Sequence, residues 1–188
     1  MEKDALEFAT RAHGDQQRKY TEEPYVEHLK RVAETVRSVP HTPEMISAAY
    51  LHDVVEDTPV TLDEVKEKFG EKVSSLVHEL TDEYMKSNYP HLNRRRRKEK
   101  EVERQAGMSA EAKTIKLADV IDNTMDIVRN DRNFARKYVP EMEALTSVLK
   151  EGDPKLYQRA VSEVQKGKEI LKKEKSPKNR SKNSNYHG

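Results

Sequence analysis

Apolar side chains recur at helical spacing along most of this chain, and no stretch shows the apolar–polar alternation of a half-buried strand. Signals for helix ends stand between these stripes, such as a capping box at residues 61–64 and a stop signal at Gly70. The pattern predicts an all-α fold. Helices are expected at residues 6–12, 25–36, 43–57, 62–69, 73–80 and 109–128, followed by two that begin at Pro140 and Pro154. The polar stretch 82–107 is expected to be a loop followed by an exposed helix.

One folded domain is expected, because 188 residues suffice for a single core. Charged residues make up 37% of the chain and hydrophobic residues 34%, which predicts a lean core under an ionic surface. The basic charge is concentrated at the C-terminal end, where residues 166–188 hold eight Lys or Arg against two Glu. After about Lys172 little remains to be buried. We therefore predict a folded domain at residues 1–171 and a disordered basic tail at residues 172–188.

Several classes of protein are disfavoured by simple absences. The chain contains no cysteine, which excludes disulfides and thiolate metal ligands. No apolar run reaches the roughly 20 residues of a membrane-spanning helix, and the first residues lack the apolar stretch of a signal peptide. These features predict a cytoplasmic protein without a membrane partner, and they leave its oligomeric state open.

The segment at residues 51–58, LHDVVEDT, carries four groups that can bind a metal or move a proton. A helix from Pro43 to Asp57 would place His52 over Glu56 and Asp53 over Asp57, because residues four apart share one face. A solvated acidic helix end with a chance histidine is the alternative. The apolar residues that surround the rest of this helix instead predict burial, and buried charges need partners or a metal.

A metal site needs ligands from more than one element, and two further residues are suitable. His28 lies on the apolar stripe of the second helix, where a lone histidine is also compatible with a hydrogen-bonded core residue. Asp119 is flanked by aliphatic residues in the long helix, with Asn123 one turn further on, so it needs a cation, a metal or donors. Together with His52 and Asp53 these residues form a set for which Mn²⁺, Fe²⁺, Zn²⁺ and Mg²⁺ are all admissible.

The set of His28, His52-Asp53 and Asp119 resembles the spaced signature of the HD-domain metal-dependent phosphohydrolases. Within that superfamily, HDVVEDT at residues 52–58 is similar to the HDxxEDT motif of the RelA/SpoT-type (p)ppGpp hydrolases. Other matching residues are Ala12-His13, Gln16, Arg18-Lys19, Pro24-Tyr25-Val26, and Lys116-Leu117-Ala118-Asp119 with Asn123. The resemblance covers about residues 5–150 and implies an HD-domain helical bundle. The short form is like the small alarmone hydrolases, which lack a synthetase domain.

The resemblance also implies a role for individual residues. Four would bind Mn²⁺, namely His28, His52, Asp53 and Asp119. Two carboxylates, Glu56 and Asp57, would position and deprotonate the attacking water or return a proton to the leaving group. Arg18 would stack on guanine, Lys19 would supply positive charge near the phosphates, and Asn123 would bond the ribose or phosphate side. The implied reaction releases pyrophosphate and GDP from ppGpp, or GTP from pppGpp.

Two features depart from the family pattern. The segment between Lys19 and His28 is one residue longer than in the long-form enzymes, which affects the expected position of Arg18. After Asn123 the family usually has an apolar residue and then arginine, whereas this chain has the sequence TMD at residues 124–126. A basic residue near the substrate is therefore missing. Another nucleotide substrate, such as NADPH, a dNTP or a nucleoside monophosphate, stays open as an alternative.

The basic run from Arg94 to Arg97 allows two interpretations. Such a run is usually a solvated helix face, but one or two of these arginines could reach over the cleft to grip phosphates. A nucleic-acid-binding module that uses this run and the tail is a function of another class. That function leaves the His52-Asp53 pair unexplained and lacks an aromatic stacking platform, so nucleic acid is not an expected partner.

Overall fold

The computed structural model describes residues 1–173, which form nine helices and no strand. The all-α prediction is confirmed. Among the described helices none is long and apolar enough to cross a membrane. In chain order the helices are α1 (Glu2–His13), α2 (Tyr25–Arg37), α3 (Pro43–Leu51), α4 (Val54–Asp57), α5 (Leu62–Leu80), α6 (Arg94–Gln105), α7 (Ala110–Asn130), α8 (Arg132–Thr146) and α9 (Pro154–Lys173).

The central helix is α7, which packs against α2, α3, α5, α8 and α9. Helix α3 is buried from Met45 to Leu51 and packs against α1, α2 and α5. Because α2, α3 and α7 contact one another in pairs, they can present side chains to one point in the interior. That arrangement positions the site described below.

The single helix predicted from Pro43 to Asp57 is wrong. Helix α3 ends at Leu51 and α4 begins at Val54, so the chain turns at His52 and Asp53. The Asp57 N–H still donates to the Asp53 carbonyl at 2.9 Å, so Asp57 lies one helical turn beyond Asp53 as expected. Neighbouring residues on a regular helix point about 100° apart. The turn lets both His52 and Asp53 point inward.

The predicted helix start at Pro140 is also wrong. Helix α8 begins at Arg132, where the side chain of Asp131 accepts a hydrogen bond from the Phe134 N–H and caps the helix. Pro140 lies inside α8 and removes one backbone hydrogen bond there. Its neighbour Val139 is buried, so packing against α7 and α9 compensates for the lost bond.

Other predicted helix ends are confirmed. The side chain of Ser109 caps α7, and Thr61 forms the predicted capping box at the start of α5. Gly70 interrupts α5 with φ +85°, a left-handed conformation that glycine adopts readily, so the predicted stop is a kink between two helical halves.

The arginine run opens α6, which agrees with the predicted exposed helix. This helix buries only Glu101 and Gln105, so it offers little apolar surface to the core. Ion pairs attach it instead: Arg94 pairs with Glu141 of α8 at 2.7 Å, and Lys98 pairs with Asp82 at 2.8 Å.

Helix α9 extends through Lys173, so the first two residues of the predicted tail are helical. The remainder of that prediction, residues 174–188, lies outside the described residues.

Candidate metal and catalytic site

Polar side chains from three sides of the bundle converge at one buried point. The ligand atoms of His28, His52 and Asp119 all lie within 4.8 Å of one another. Oδ1 of Asp119 is 3.4 Å from Nε2 of His28 and 3.6 Å from Nε2 of His52. Oδ2 of Asp53 is 3.0 Å from the His52 nitrogen and 3.7 Å from the His28 nitrogen. The four residues expected to be ligands are therefore brought together.

Hydrogen bonds orient both imidazole rings. Nδ1 of His28 lies 2.7 Å from Oδ2 of Asp122, a carboxylate that also accepts a bond from Arg31. Nδ1 of His52 lies 2.8 Å from the Ala49 carbonyl. Because both partners are acceptors, each ring carries a proton on Nδ1 and turns Nε2 inward, where the neutral ring offers its lone pair. This tautomer is the one that binds metals through Nε2.

The inward nitrogens of His28 and His52 are buried and have no hydrogen-bond partner among the described residues. Leaving buried polar atoms unpaired is costly, so native sites satisfy them with a partner, a water or an ion. A divalent cation among these two nitrogens and the carboxylates would satisfy all of them. The nitrogen and oxygen donors suit Mn²⁺, Zn²⁺, Fe²⁺ or Mg²⁺. The residues present thus fit a metal.

The protonation of the cluster follows from its crowded charges. Burial lowers the pKa of His52, but the carboxylates of Asp53 and Asp119 outweigh burial and raise this pKa well above its usual value. Burial raises the pKa of Asp119, but Lys116, with its ammonium 3.1 Å from Oδ2, and the two histidines hold it well below its usual range. The carboxylate of Asp119 thus stays ionised, as a metal ligand must.

The carboxyl groups of Glu56 and Asp57 have different surroundings. Burial, followed by the charges of Asp82 and Asp53, raises the pKa of Glu56 to about 7. Its Oε2 accepts a hydrogen bond from the Asp82 N–H at 3.1 Å. Asp57 is exposed, and its Oδ2 accepts a bond from the Gln16 amide at 3.3 Å. One carboxyl group can therefore hold a proton near neutral pH while the other faces solvent.

A cavity of about 300 Å³ opens beside the cluster. Seven carboxyl groups and two ammonium groups line it among the described residues, so a bound cation would favour the entry of an anionic ligand. The charged residues of the lining are Asp53, Glu56, Asp57, Asp82, Glu101, Asp119, Glu141, Lys98 and Lys116.

The three residues expected to contact substrate lie in different settings. Asn123 lines the cavity. Arg18 is 10% exposed and donates through Nη2 to Asn123 and to Asp126, at 2.8 Å each. Lys19 is exposed; its ammonium lies over the rings of Tyr20 and Phe134 and is not part of the cavity lining. The guanidinium of Arg18 is therefore already held by two acceptors on α7.

Sequence reasoning missed several residues of the site. The hydroxyl of Tyr25 donates to Asp53 at 2.6 Å, and Asp122 orients His28. Lys116 pairs with Asp119, and Asp82 connects Lys98 to Glu56. Asp122 and Lys116 lie three residues on either side of Asp119, so helical spacing alone could have indicated them.

Comparison with known proteins agrees with this geometry. Residues 5–145 match a sequence family described as HD domain. This chain belongs to the HD-domain family.

Curated relatives within the family are more specific. The chain is 42% identical over 131 residues to the guanosine-3′,5′-bis(diphosphate) 3′-pyrophosphohydrolase MESH1 of Drosophila melanogaster, covering 68% of this chain and 69% of that protein. It is 40% identical over 129 residues to the Homo sapiens protein of the same name, covering 67% and 69%. A solved structure, described as a metazoan ortholog of SpoT that hydrolyses ppGpp, superposes with a TM-score of 0.78 at 30% identity. That match covers 88% of this chain and 94% of the other. Within the HD-domain family, the chain therefore groups with the MESH1 proteins.

Proposed function

We propose that this chain is a metal-dependent hydrolase that removes the 3′-pyrophosphate of guanosine 3′,5′-bis(diphosphate), giving GDP and pyrophosphate, or GTP from the pentaphosphate. The observation that carries the proposal is the pair of buried, unpartnered Nε2 atoms of His28 and His52 beside two aspartates, at the edge of the cavity that holds Glu56 and Asp57. The choice of substrate is supported by relatives that are named for ppGpp hydrolysis and that match this chain over about two thirds or more of their length.

Four residues are proposed as the ligands of a divalent ion, with Mn²⁺ as the metal of choice: His28, His52, Asp53 and Asp119. When bound, such an ion lowers the pKa of water and withdraws charge from a phosphoryl oxygen. The protein supplies the remaining chemistry. Tyr25 donates to the same Asp53 oxygen that faces the histidines, and Lys116 holds the Asp119 oxygen that faces away from them, so both contacts limit how these carboxylates can rotate.

Glu56 and Asp57 are proposed to divide the proton transfers between them. In the reaction, a water oxygen gives up a proton to Asp57 and bonds to the phosphorus attached to the 3′-oxygen, the P–O3′ bond breaks, and the 3′-oxygen takes up a proton from Glu56. Glu56, with a pKa of about 7, is suited to hold that proton and donate it. Asp57 faces solvent and is suited to orient the water.

Substrate contacts are proposed from the charges beside the cavity. Lys98 and Lys116 are its only ammonium groups among the described lining residues and could pair with phosphate oxygens. Asn123 is proposed to bond the ribose or phosphate side. Arg18 and Lys19 are proposed to meet the base and phosphates at the mouth, and the bonds of Arg18 to Asn123 and Asp126 would then orient the guanidinium plane.

The alternative functions draw less support. A phosphatase for NADPH, a dNTP or a nucleoside monophosphate could use the same cluster, and only a direct assay separates it from the proposed function. A nucleic-acid-binding function needs free arginines, but Arg94, Arg95 and Arg96 pair with glutamates and Arg97 bonds the Leu92 carbonyl. The location is proposed to be cytoplasmic, which fractionation of cells that express the tagged protein can test.

The function is tested by incubating the purified protein with ppGpp, NADPH, dGTP and GMP, with and without Mn²⁺, and resolving the products. We expect GDP and pyrophosphate from ppGpp, only with metal present. The variant Asp119→Ala should lose both metal and activity, and Glu103→Ala on the exposed face of α6 is its control. Release of orthophosphate, or no turnover of ppGpp by the metal-loaded protein, would contradict the proposal.

A further inference from the structure

The connection between α1 and α2 brings a glutamine against one of the two catalytic carboxylates. His13 is the last residue of α1 and is 6% exposed. Gly14 follows with φ +51°, which turns the chain back so that the Gln16 N–H bonds the His13 carbonyl at 2.9 Å. The Gln16 side chain then reaches from this turn to Asp57, 41 residues further along the chain.

The orientation of the Gln16 amide is determined by its two partners. Its Oε1 lies 2.8 Å from Nδ1 of His13, and its Nε2 lies 3.3 Å from Oδ2 of Asp57. The reverse orientation would place a carbonyl oxygen against a carboxylate. Because Oε1 can only accept, His13 must carry its proton on Nδ1. His13 therefore determines which end of the amide faces Asp57.

The same segment is tied to the start of α2. The Tyr25 N–H donates to the Gln16 carbonyl at 2.9 Å, and the Arg18 N–H donates to the Glu23 carbonyl at 2.8 Å. The ring of His13 stacks on that of Tyr25, with centroids 4.7 Å apart, and the Tyr25 hydroxyl donates to Asp53. The backbone of the segment thus has little freedom to carry Gln16 away from Asp57.

We propose that Gln16, oriented by His13, is a positioning residue that holds the exposed Asp57 carboxylate in its working orientation, an inference that rests on the proposed function. The Gln16 amide occupies Oδ2 of Asp57 and leaves Oδ1 as the acceptor for a reacting water. Without this donor the carboxylate rotates freely about its side-chain bonds. A small misplacement of a catalytic group is enough to slow turnover strongly.

Paired substitutions separate orientation from packing. Gln16→Met removes the amide at nearly constant length, and Gln17→Met at the exposed neighbouring position is its control. His13→Asn keeps a donor close to the place of Nδ1 but loses the ring on Tyr25, whereas His13→Phe keeps the ring and loses the donor. Metal content and Tm are measured for every variant beside kcat and KM for ppGpp.

We expect kcat to fall about tenfold or more in Gln16→Met and His13→Phe, with KM, metal content and Tm close to those of the parent. His13→Asn should retain most of the parent kcat. The inference is overturned if Gln16→Met turns over like Gln17→Met, or if His13→Asn is impaired as strongly as His13→Phe.

A second measurement does not depend on the substrate. Nitrogen NMR of the parent protein should show neutral His13 as the Nδ1–H tautomer, and crystal structures should show one Asp57 rotamer in the parent and several in Gln16→Met. An Nε2–H tautomer, or an Asp57 rotamer unchanged by Gln16→Met, overturns the inference. A parent protein that leaves ppGpp intact defeats the proposed function, and the tautomer and rotamer still decide the positioning role.

Discussion

Nδ1 of His28 lies 2.7 Å from Oδ2 of Asp122, and this contact turns the other nitrogen of the ring toward His52 and Asp119. Asp122 is held in turn by Arg31, whose Nε donates to Oδ1 at 2.7 Å. The orientation of a proposed metal ligand therefore depends on a carboxylate one helical turn beyond Asp119.

Replacing that carboxylate should weaken metal binding. We expect Asp122→Leu to lower Mn²⁺ affinity by roughly 10–100-fold, the usual effect of losing a partner that orients a metal-binding histidine. Asp122→Asn retains an acceptor oxygen and should be affected less. Titration calorimetry with Mn²⁺ measures both, and equal affinities for Asp122→Leu and the parent would show that His28 does not need this partner.

Substitution of Glu56 should separate chemistry from metal binding. Glu56→Gln keeps the shape of the side chain but cannot transfer a proton, so turnover of ppGpp should fall by about 10²–10⁴-fold. Metal content, measured by elemental analysis, should stay at the parent level because Glu56 is not one of the proposed ligands. A Glu56→Gln variant with the parent kcat would remove Glu56 from the mechanism.

The raised pKa of Glu56 also predicts a dependence of stability on pH. Its pKa is about 7 in the fold against 4.5 ordinarily, so the folded state binds more protons than the unfolded state between these values. Stability contributed by this group therefore falls as the pH rises from about 4.5 to 7, by roughly 3 kcal/mol in total. Urea unfolding of the chelator-treated protein at pH 5 and pH 7.5 should show a smaller difference in Glu56→Gln than in the parent. Equal differences in the two proteins would mean that Glu56 titrates normally.

Arg18 should contribute to stability as well as to substrate binding. It pairs with Asp126 at 2.8 Å, and the two side chains are only 10% and 13% exposed. Arg18→Ala leaves that carboxylate unpaired and should lower the free energy of unfolding by about 3 kcal/mol, whereas the double variant with Asp126→Ala should recover part of the loss.

If Arg18 also contacts guanine, KM for ppGpp should rise in both variants. The rise should correspond to a loss of roughly 1–2 kcal/mol of binding free energy, the size of a desolvated cation–π contact. A KM that recovers fully in the double variant would assign Arg18 a structural role only.

Most of the helices could be predicted from the sequence because the signals that start, stop and bury a helix are local. Capping by Thr61 and Ser109, the break at Gly70 and the burial of α3 all depend on residues within a few positions of one another, so cap signals and periodicity predicted them, although the break is a kink and not the expected stop. The prediction at Pro140 was wrong because proline often starts helices, whereas this helix begins eight residues earlier, directly after the capping residue Asp131.

The turn at His52 and Asp53 was not predictable in this way. No nearby residue signals it, and the hydroxyl that bonds Asp53 belongs to Tyr25, which comes from another helix and lies 28 residues earlier. The proposed ligands themselves were found because charged residues stand out in apolar surroundings. Of the residues that support them, Lys116 lies within one helical turn of Asp119 and was within reach of local reasoning, whereas Asp82 meets Glu56 across 26 residues and is close to it only after folding.

The way in which α6 is attached makes access to the cavity sensitive to ionic strength. The bundle is held by apolar packing, which salt hardly weakens. The wall formed by α6 is attached by polar contacts: two ion pairs, Arg94 with Glu141 and Lys98 with Asp82, and hydrogen bonds of Glu101, Arg104 and Gln105. Salt screens the attraction of partly exposed pairs, because the Debye length falls from about 8 Å at 0.15 M salt to about 3 Å at 1 M. Amide hydrogen exchange in α6 should therefore accelerate with added salt while exchange in α7 stays constant. The ions of the surrounding solution would then set how often α6 opens locally and exposes the cavity.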